Sequence, residues 1–204
     1  MGVTEDIVSF VEAASFDALP DEVVHRTKTL VADAFGTMLA GCVEDGSRML
    51  QKYLMRQQSR RDATVVGAGF KACGTAAALA NAAAGHALDF DSIQLSRWPG
   101  TAHGIRIHPT TPALAAVLAV GEPRNFSGRD LILACAVGIE VSCRVTEAIP
   151  PDAYQVAYQS TATMGGLGAA AAAAKVLGLN RDQLMRAMGL AATMPLGCAR
   201  ISAP

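Results

Sequence analysis

Aromatic side chains are scarce in this sequence. One Trp, three Tyr and six Phe make up 5% of its 204 residues, although 51% of the chain is hydrophobic. The core is therefore expected to consist mainly of Ala, Leu, Val and Met. Runs of Val, Ile and aromatics, the usual mark of strands, are also few, and Ala has the highest helix propensity. The composition predicts an all-α fold, and this length suffices for one large core. Neither sign of charge is in excess: 17 Lys and Arg face 18 Asp and Glu, for a net charge of −1. With no basic run, nucleic acid is not an expected partner.

The five cysteines, Cys42, Cys73, Cys135, Cys143 and Cys198, are scattered and form no CxxC pair. Zinc-ribbon and thioredoxin-like readings therefore lack footing, and the residues read as small buried thiols of a cytoplasmic protein. Long apolar runs are missing too. The most apolar stretches, "GGLGAAAAAAKVLGLN" and "LILACAVGIEVSC", are interrupted by Lys175 and Glu140. Both fall short of the roughly 18 to 20 apolar residues that a membrane span needs, so no membrane association is expected. The opening "MGVTEDIVSF" has no basic region ahead of a long apolar core, and so does not read as a secretory signal. No fixed-period repeat or internal linker divides the chain, so residues 1–204 are expected to form a single helical domain. The final "GCARISAP" has neither a closing cap nor a polar tail. This points to a fragment of a longer chain.

What is present is a succession of helix signals. Thr4 is placed to cap a first helix, and Pro20, Asp21 and Glu22 open a second that suits an end at Gly41. Along that helix Val23, Val24, Thr27, Leu30, Val31, Ala34 and Met38 form an apolar face, with His25 on the polar side. "GSRMLQKYLMRQQ" is an amphipathic third helix, and "DATVVGAG" is the one plausible strand. Farther on, Ser127 with Asp130 and Asn180 with Gln183 have capping-box spacing. Seven or eight helices are expected from these caps.

Three of the four histidines, His86, His103 and His108, cluster in one short stretch of the chain. His86 and Asp89 stand three apart in "GHALDFDSIQ", a spacing that puts them on one helical face and turns Asp91 elsewhere. His108 precedes Pro109 and so belongs to a loop. Thr111 is a natural N-cap with Pro112 at the first helical position, and a helix N-terminus carries about half a positive charge with unpaired amides. Thr110, Thr111 and their helix start are thus candidates to seat a carboxylate. The same positive end favours a neutral, proton-accepting His108, which a nearby Asp would orient.

"AALANAAAGHALDFDS", "HPTTPALAAVLAVGE", "LILACAVGIEVSCRV" and "GGLGAAAAAAKVLGL", in this order, resemble the MmgE/PrpD family, which includes 2-methylcitrate dehydratase, cis-aconitate decarboxylase and iminodisuccinate epimerase. The resemblance runs from "FGTMLAG" to the end of the chain. It implies the N-terminal part of a helical domain, without the α/β lid domain. It also implies cofactor-independent, metal-free lyase or isomerase chemistry on a small di- or tricarboxylate, and a homodimer. Matched by position, the family's active-site Asp falls on Asp89 and its catalytic His on His108. A family Thr falls on Ile93 and a second family His on Gln159, so these two positions depart from the pattern. The family's active-site lysines lie beyond residue 204.

Removing a proton next to a carboxylate, or expelling CO2 or a β-leaving group and reprotonating the carbanion, requires a neutral base, a carboxylate clamp and exclusion of water. Asp89 and His108 are the expected catalytic pair. Thr110, Thr111, Arg97 and Arg106 are the expected substrate-binding residues, the arginines pairing a second carboxylate. His86, Asp91, His103, Tyr158 and Gln159 are further candidates, with Tyr154 beside them. Two other readings stand against this one. A divalent ion held by His86, Asp89, Asp91, His103 and His108 would make a hydrolase, although no HExxH-type signature is present. Alternatively, the chain is an inactive helical dimerisation domain or one part of a split enzyme.

Overall fold

A computed structural model of the chain describes residues 2–95, 106–149 and 159–194. Among these residues eight α-helices alternate with short loops, and the only strands form two small antiparallel pairs. The fold is all-α. Helices α1 (Val3–Ala13), α2 (Asp21–Gly41) and α3 (Asp45–Arg56) lead into a hairpin of β1 (Ala63–Val65) and β2 (Phe70–Ala72), followed by α4 (Gly74–His86). Two-residue strands β3 (Gln94–Leu95) and β4 (Arg106–Ile107) pair antiparallel. Then come α5 (Thr110–Gly121), α6 (Gly128–Glu147), α7 (Ser160–Leu177) and α8 (Arg181–Thr193).

The scarcity of aromatics shows directly in the packing. Helix α5 runs through the centre with Ala113, Leu114, Ala115 and Val117 buried against Val31, Ala34 and Met38 of α2, Ala134 and Cys135 of α6, and Ala172 of α7. A second cluster joins Val8 and Val11 of α1 to Val137, Val141, Ala171, Ala174, Leu184 and Met188. Small residues let the backbones approach closely. A Cβ on Gly138 would sit 2.8 Å from both the Ala172 Cβ and the Gly168 carbonyl oxygen. Lys175, the charge that interrupts the alanine run, donates from Nζ to the carbonyls of Val11 (2.9 Å) and Glu12 (3.3 Å) at the end of α1. A cation there complements the negative helix end and occupies carbonyls the helix leaves unpaired.

Several local signals match the structure. Ser127 with Asp130 caps α6, Asn180 with Gln183 caps α8, α2 ends at Gly41, and His25 is exposed. Three expectations need correction. Helix α1 starts from Gly2 rather than Thr4, because the Glu5 carboxylate reaches back to accept from the Gly2 amide at 2.9 Å. Helix α5 starts at Thr110 with Pro109 at the cap and no side-chain capping bond, so Pro112 is third in the helix. First-turn amides have no partner within the helix, so proline is tolerated there, and the Thr111 hydroxyl serves another acceptor. Finally, β1 has a partner strand that the sequence does not announce. Asn81 pins β1 to α4, accepting from the Val66 amide (2.8 Å) and donating to the Thr64 carbonyl (3.0 Å).

Of the thiols, Cys42 and Cys135 are buried, while Cys73 and Cys143 are only half-buried; Cys198 lies outside the described residues. Burial pushes the Cys135 and Cys143 thiols up to about 12, which leaves them unreactive. No described helix is long and apolar enough to cross a membrane.

Candidate active site

Helix α4 ends at His86, and the chain then reverses. The Asp89 amide bonds back to the His86 carbonyl at 3.2 Å, and Asp89 takes a left-handed conformation, φ 55°, which Asp adopts more readily than most residues. Pairing of β3 with β4 then brings this turn alongside His108 at the entry to α5. The two motifs become the walls of one pocket of about 400 Å³. Its lining comprises His86, Asp89, Asp91, Ile93, Arg106, His108 and the start of α7, Gln159 to Thr161.

Asp91 is the hub. Its side chain is 1% exposed, with Oδ1 at 2.9 Å from His86 Nδ1 and 3.3 Å from His108 Nδ1. Oδ2 accepts from the Thr111 hydroxyl at 2.9 Å. The helical-face expectation that Asp91 points away is therefore overturned: the helix stops at His86, so its spacing rule does not extend past the Asp89 turn. Asp89 is largely exposed, with Oδ1 3.4 Å from His108 Nε2. His108 Nδ1 also lies 3.2 Å from the Asp91 carbonyl oxygen. A carbonyl can only accept, so this nitrogen carries the hydrogen, and in the neutral ring the lone pair sits on Nε2.

The rings of His86 and His108 meet edge to face, with centroids 4.7 Å apart. The hydrogen bond to Asp91 is the main cause that raises His86 above the ordinary 6.5; desolvation opposes it, and the charges of Asp91 and Asp89 add to the rise. Burial alone would raise Asp91. Hydrogen bonds from His86 and Thr111 and the nearby imidazoles outweigh it, and hold the carboxyl below 3.8.

Not every candidate reaches the pocket. Thr110 and Thr111 are buried behind it, with the Thr110 hydroxyl 2.7 Å from that of Ser92. Arg106 lines the pocket, and Gln159 caps α7 by accepting from the Ala162 amide. Arg97, His103, Tyr154 and Tyr158 lie outside the described residues. Two partners are missing from the sequence reading. The Thr161 hydroxyl accepts from the His108 amide at 3.1 Å, and the Ser160 hydroxyl donates to the Arg106 carbonyl. The only signal for them in the sequence is the "QSTAT" cap, which says nothing about partners so far back along the chain.

Residues 5–202 match the model of the MmgE/PrpD N-terminal domain. The chain belongs to the MmgE/PrpD family. Among its relatives, the cis-aconitate decarboxylase of Homo sapiens is 31% identical over 196 residues, covering 93% of this chain and 39% of the human protein. That of Mus musculus is 31% identical over 197 residues, covering 93% of this chain and 38% of the relative. That of Aspergillus terreus is 30% identical over 202 residues, covering 96% and 40%. This MmgE/PrpD chain thus spans about two fifths of the length of the relatives it matches.

The donor atoms of His86, Asp89, Asp91 and His108 lie within 4.8 Å of one another, and these residue types are also those a divalent ion accepts. Here the His86–Asp91 bond and the Thr111 hydroxyl already satisfy the buried carboxylate. The four side chains form one cluster linked by hydrogen bonds and close charge contacts.

Proposed function

We propose that these residues form the N-terminal helical part of a longer, cofactor-independent lyase or isomerase acting on a small di- or tricarboxylate, with His108 as its acid and base. The observation that carries this reading is the orientation of His108: Nδ1 is tied inward to Asp91, and Nε2 lies on the Asp89 side of the ring. Family membership and the cis-aconitate decarboxylase relatives support the reaction class.

In a decarboxylation the bond to the departing carboxyl breaks, CO2 leaves, and the electron pair stays on carbon. The protonated His108 then delivers its Nε2 proton to that carbanion. In a dehydration or epimerisation the neutral Nε2 first takes the proton from the carbon next to a carboxylate. Asp89, beside Nε2, steadies the imidazolium that forms. Arg106 is placed to pair a second carboxylate of the substrate. Cytoplasmic location and homodimerisation through the helical domain belong to the same proposal; sedimentation of the purified chain tests the latter.

Metal-dependent hydrolysis is the competing reading, favoured by the closeness of the four donors. An ion there has to displace the His86–Asp91 hydrogen bond. Two measurements test the proposal together. The intact mass of the protein as its source makes it should lie well above 21.1 kDa. A screen of di- and tricarboxylates with that protein, beginning with cis-aconitate, should find turnover that survives EDTA. A mass no greater than that of these residues, with no turnover, would favour a non-enzymatic helical domain. Activity lost on chelation would favour the hydrolase.

A further inference from the structure

The pocket contains two imidazoles, and the reaction proposed above assigns work to only one of them. His86 sits at the C-terminal end of α4, where the negative helix end favours a cation, and its Nδ1 faces the buried Asp91 carboxylate at 2.9 Å. His108 sits instead at the N-terminal entry to α5, and its Nδ1 faces both the carbonyl and the carboxylate of the same Asp91. One buried residue, its side chain fixed by Thr111, therefore orients both rings, His86 through its carboxylate and His108 through its carbonyl and carboxylate.

We infer that Asp91 is a positioning residue joining two rings with different duties: it holds His86 as the imidazolium that receives an anionic group of the ligand, and it fixes the tautomer that places the His108 lone pair on Nε2. The inference rests on the carboxylate reading of the pocket and adds a cation to it that neither composition nor spacing identified. The His86 side chain is about one-third exposed and lines the pocket, so a ligand carboxylate can reach the ring. Among the described residues the charged and titratable groups facing it are Asp89, Asp91 and His108, with Arg106 on the same pocket wall. Asp91 is nearly fully desolvated, and a buried carboxylate needs a counter-charge close by. His86 supplies that charge while turning an exposed edge to solvent. The raised His86 value is in keeping with this geometry.

The test uses the protein as its source makes it, with the histidine signals of these residues assigned by His→Gln substitution. Long-range proton–nitrogen spectra of the [15N]histidine-labelled protein, recorded with and without EDTA, report charge and tautomer for each ring. In the wild type His86 should titrate above 6.5. The neutral form of His108 should carry its hydrogen on Nδ1, the opposite of the tautomer that predominates in water. The substitution Asp91→Asn should lower the His86 midpoint. Should that variant fail to fold, the wild-type tautomer and titration decide alone. Tricarballylate, a non-reacting tricarboxylate, should move the His86 midpoint upward, and its binding should weaken in His86→Gln.

An Nε2–H tautomer for His108, or a His86 midpoint at or below 6.5, would overturn the inference while leaving the proposed reaction class intact. So would tricarballylate binding that is unchanged in His86→Gln. Spectra altered by EDTA would overturn it in favour of an ion at the site. Absence of any tricarballylate response in the wild type would count against the carboxylate reading itself, and the anion-binding role of His86 would fall with it.

Discussion

Asp89 and Asp91, only two residues apart, face opposite nitrogens of the same imidazole. Asp89 Oδ1 lies 3.4 Å from His108 Nε2, and Asp91 Oδ1 lies 3.3 Å from His108 Nδ1. The left-handed backbone at Asp89 makes this possible, because it turns the chain so that the exposed carboxylate and the buried one sit on either side of the ring. The buried one fixes the ring. The exposed one accompanies the nitrogen to which the proposed reaction assigns the proton transfer.

The His86–Asp91 pair gives stability a defined dependence on pH. The raised His86 value means that its contribution is fully present below 6.5 and is lost as the pH climbs through that raised value. The lowered Asp91 value means that its contribution is fully present above 3.8 and is lost as the pH falls through that lowered value. Both contributions act together between 3.8 and 6.5. Urea unfolding across a pH series should show His86→Gln flattening the alkaline decline. The control His25→Gln, at an exposed position on α2, should leave the profile unaltered.

Thr111→Val keeps the shape of a buried side chain and removes the donor to Asp91 Oδ2. Leaving a buried carboxylate oxygen short of a partner should cost about 1–3 kcal/mol in chemical denaturation. Asp91 should also become easier to protonate. The acid limb of the stability profile should therefore move to higher pH, a change that a loss of packing alone does not produce.

Helix α7 provides a paired test of the small-residue packing. A methyl at Gly168 would run into the Ser142 hydroxyl oxygen and the Gly138 carbonyl oxygen, whereas one at Gly166 meets nothing within 4 Å. Gly168→Ala should destabilise the chain by about 1–3 kcal/mol through overpacking. Gly166→Ala should be neutral or stabilising by up to about 1 kcal/mol, since Ala is the better helix former. Thermal melts of the two variants check both signs.

Much of this architecture could be read from neighbouring residues. The Ser127–Asp130 and Asn180–Gln183 caps, the Gly41 end and the Ala-rich interior helices each depend on a few adjacent positions. So does the position of the candidate pocket, through "HALDFD" and "HPTTP". What could not be read depends on where a helix stops. Spacing along α4 put His86 and Asp89 together, but the turn after His86 made Asp91 the buried partner instead. The role of Thr111 was hidden for the same reason: a capping position is read locally, whereas its hydroxyl goes to a carboxylate 20 residues back. Ser160 and Thr161 meet the β4–α5 segment from a distant part of the chain, and only the packed structure reveals that.

The most direct test compares wild type and His108→Ala in the protein as its source makes it, with cis-aconitate and related di- and tricarboxylates as substrates. Wild type should turn one of them over. The variant should lose about 10²–10⁴-fold in kcat, the usual worth of a positioned acid and base, while keeping its circular dichroism spectrum. A His108→Ala protein that works at the wild-type rate would contradict the central assignment, and so would a wild type that consumes none of these carboxylates.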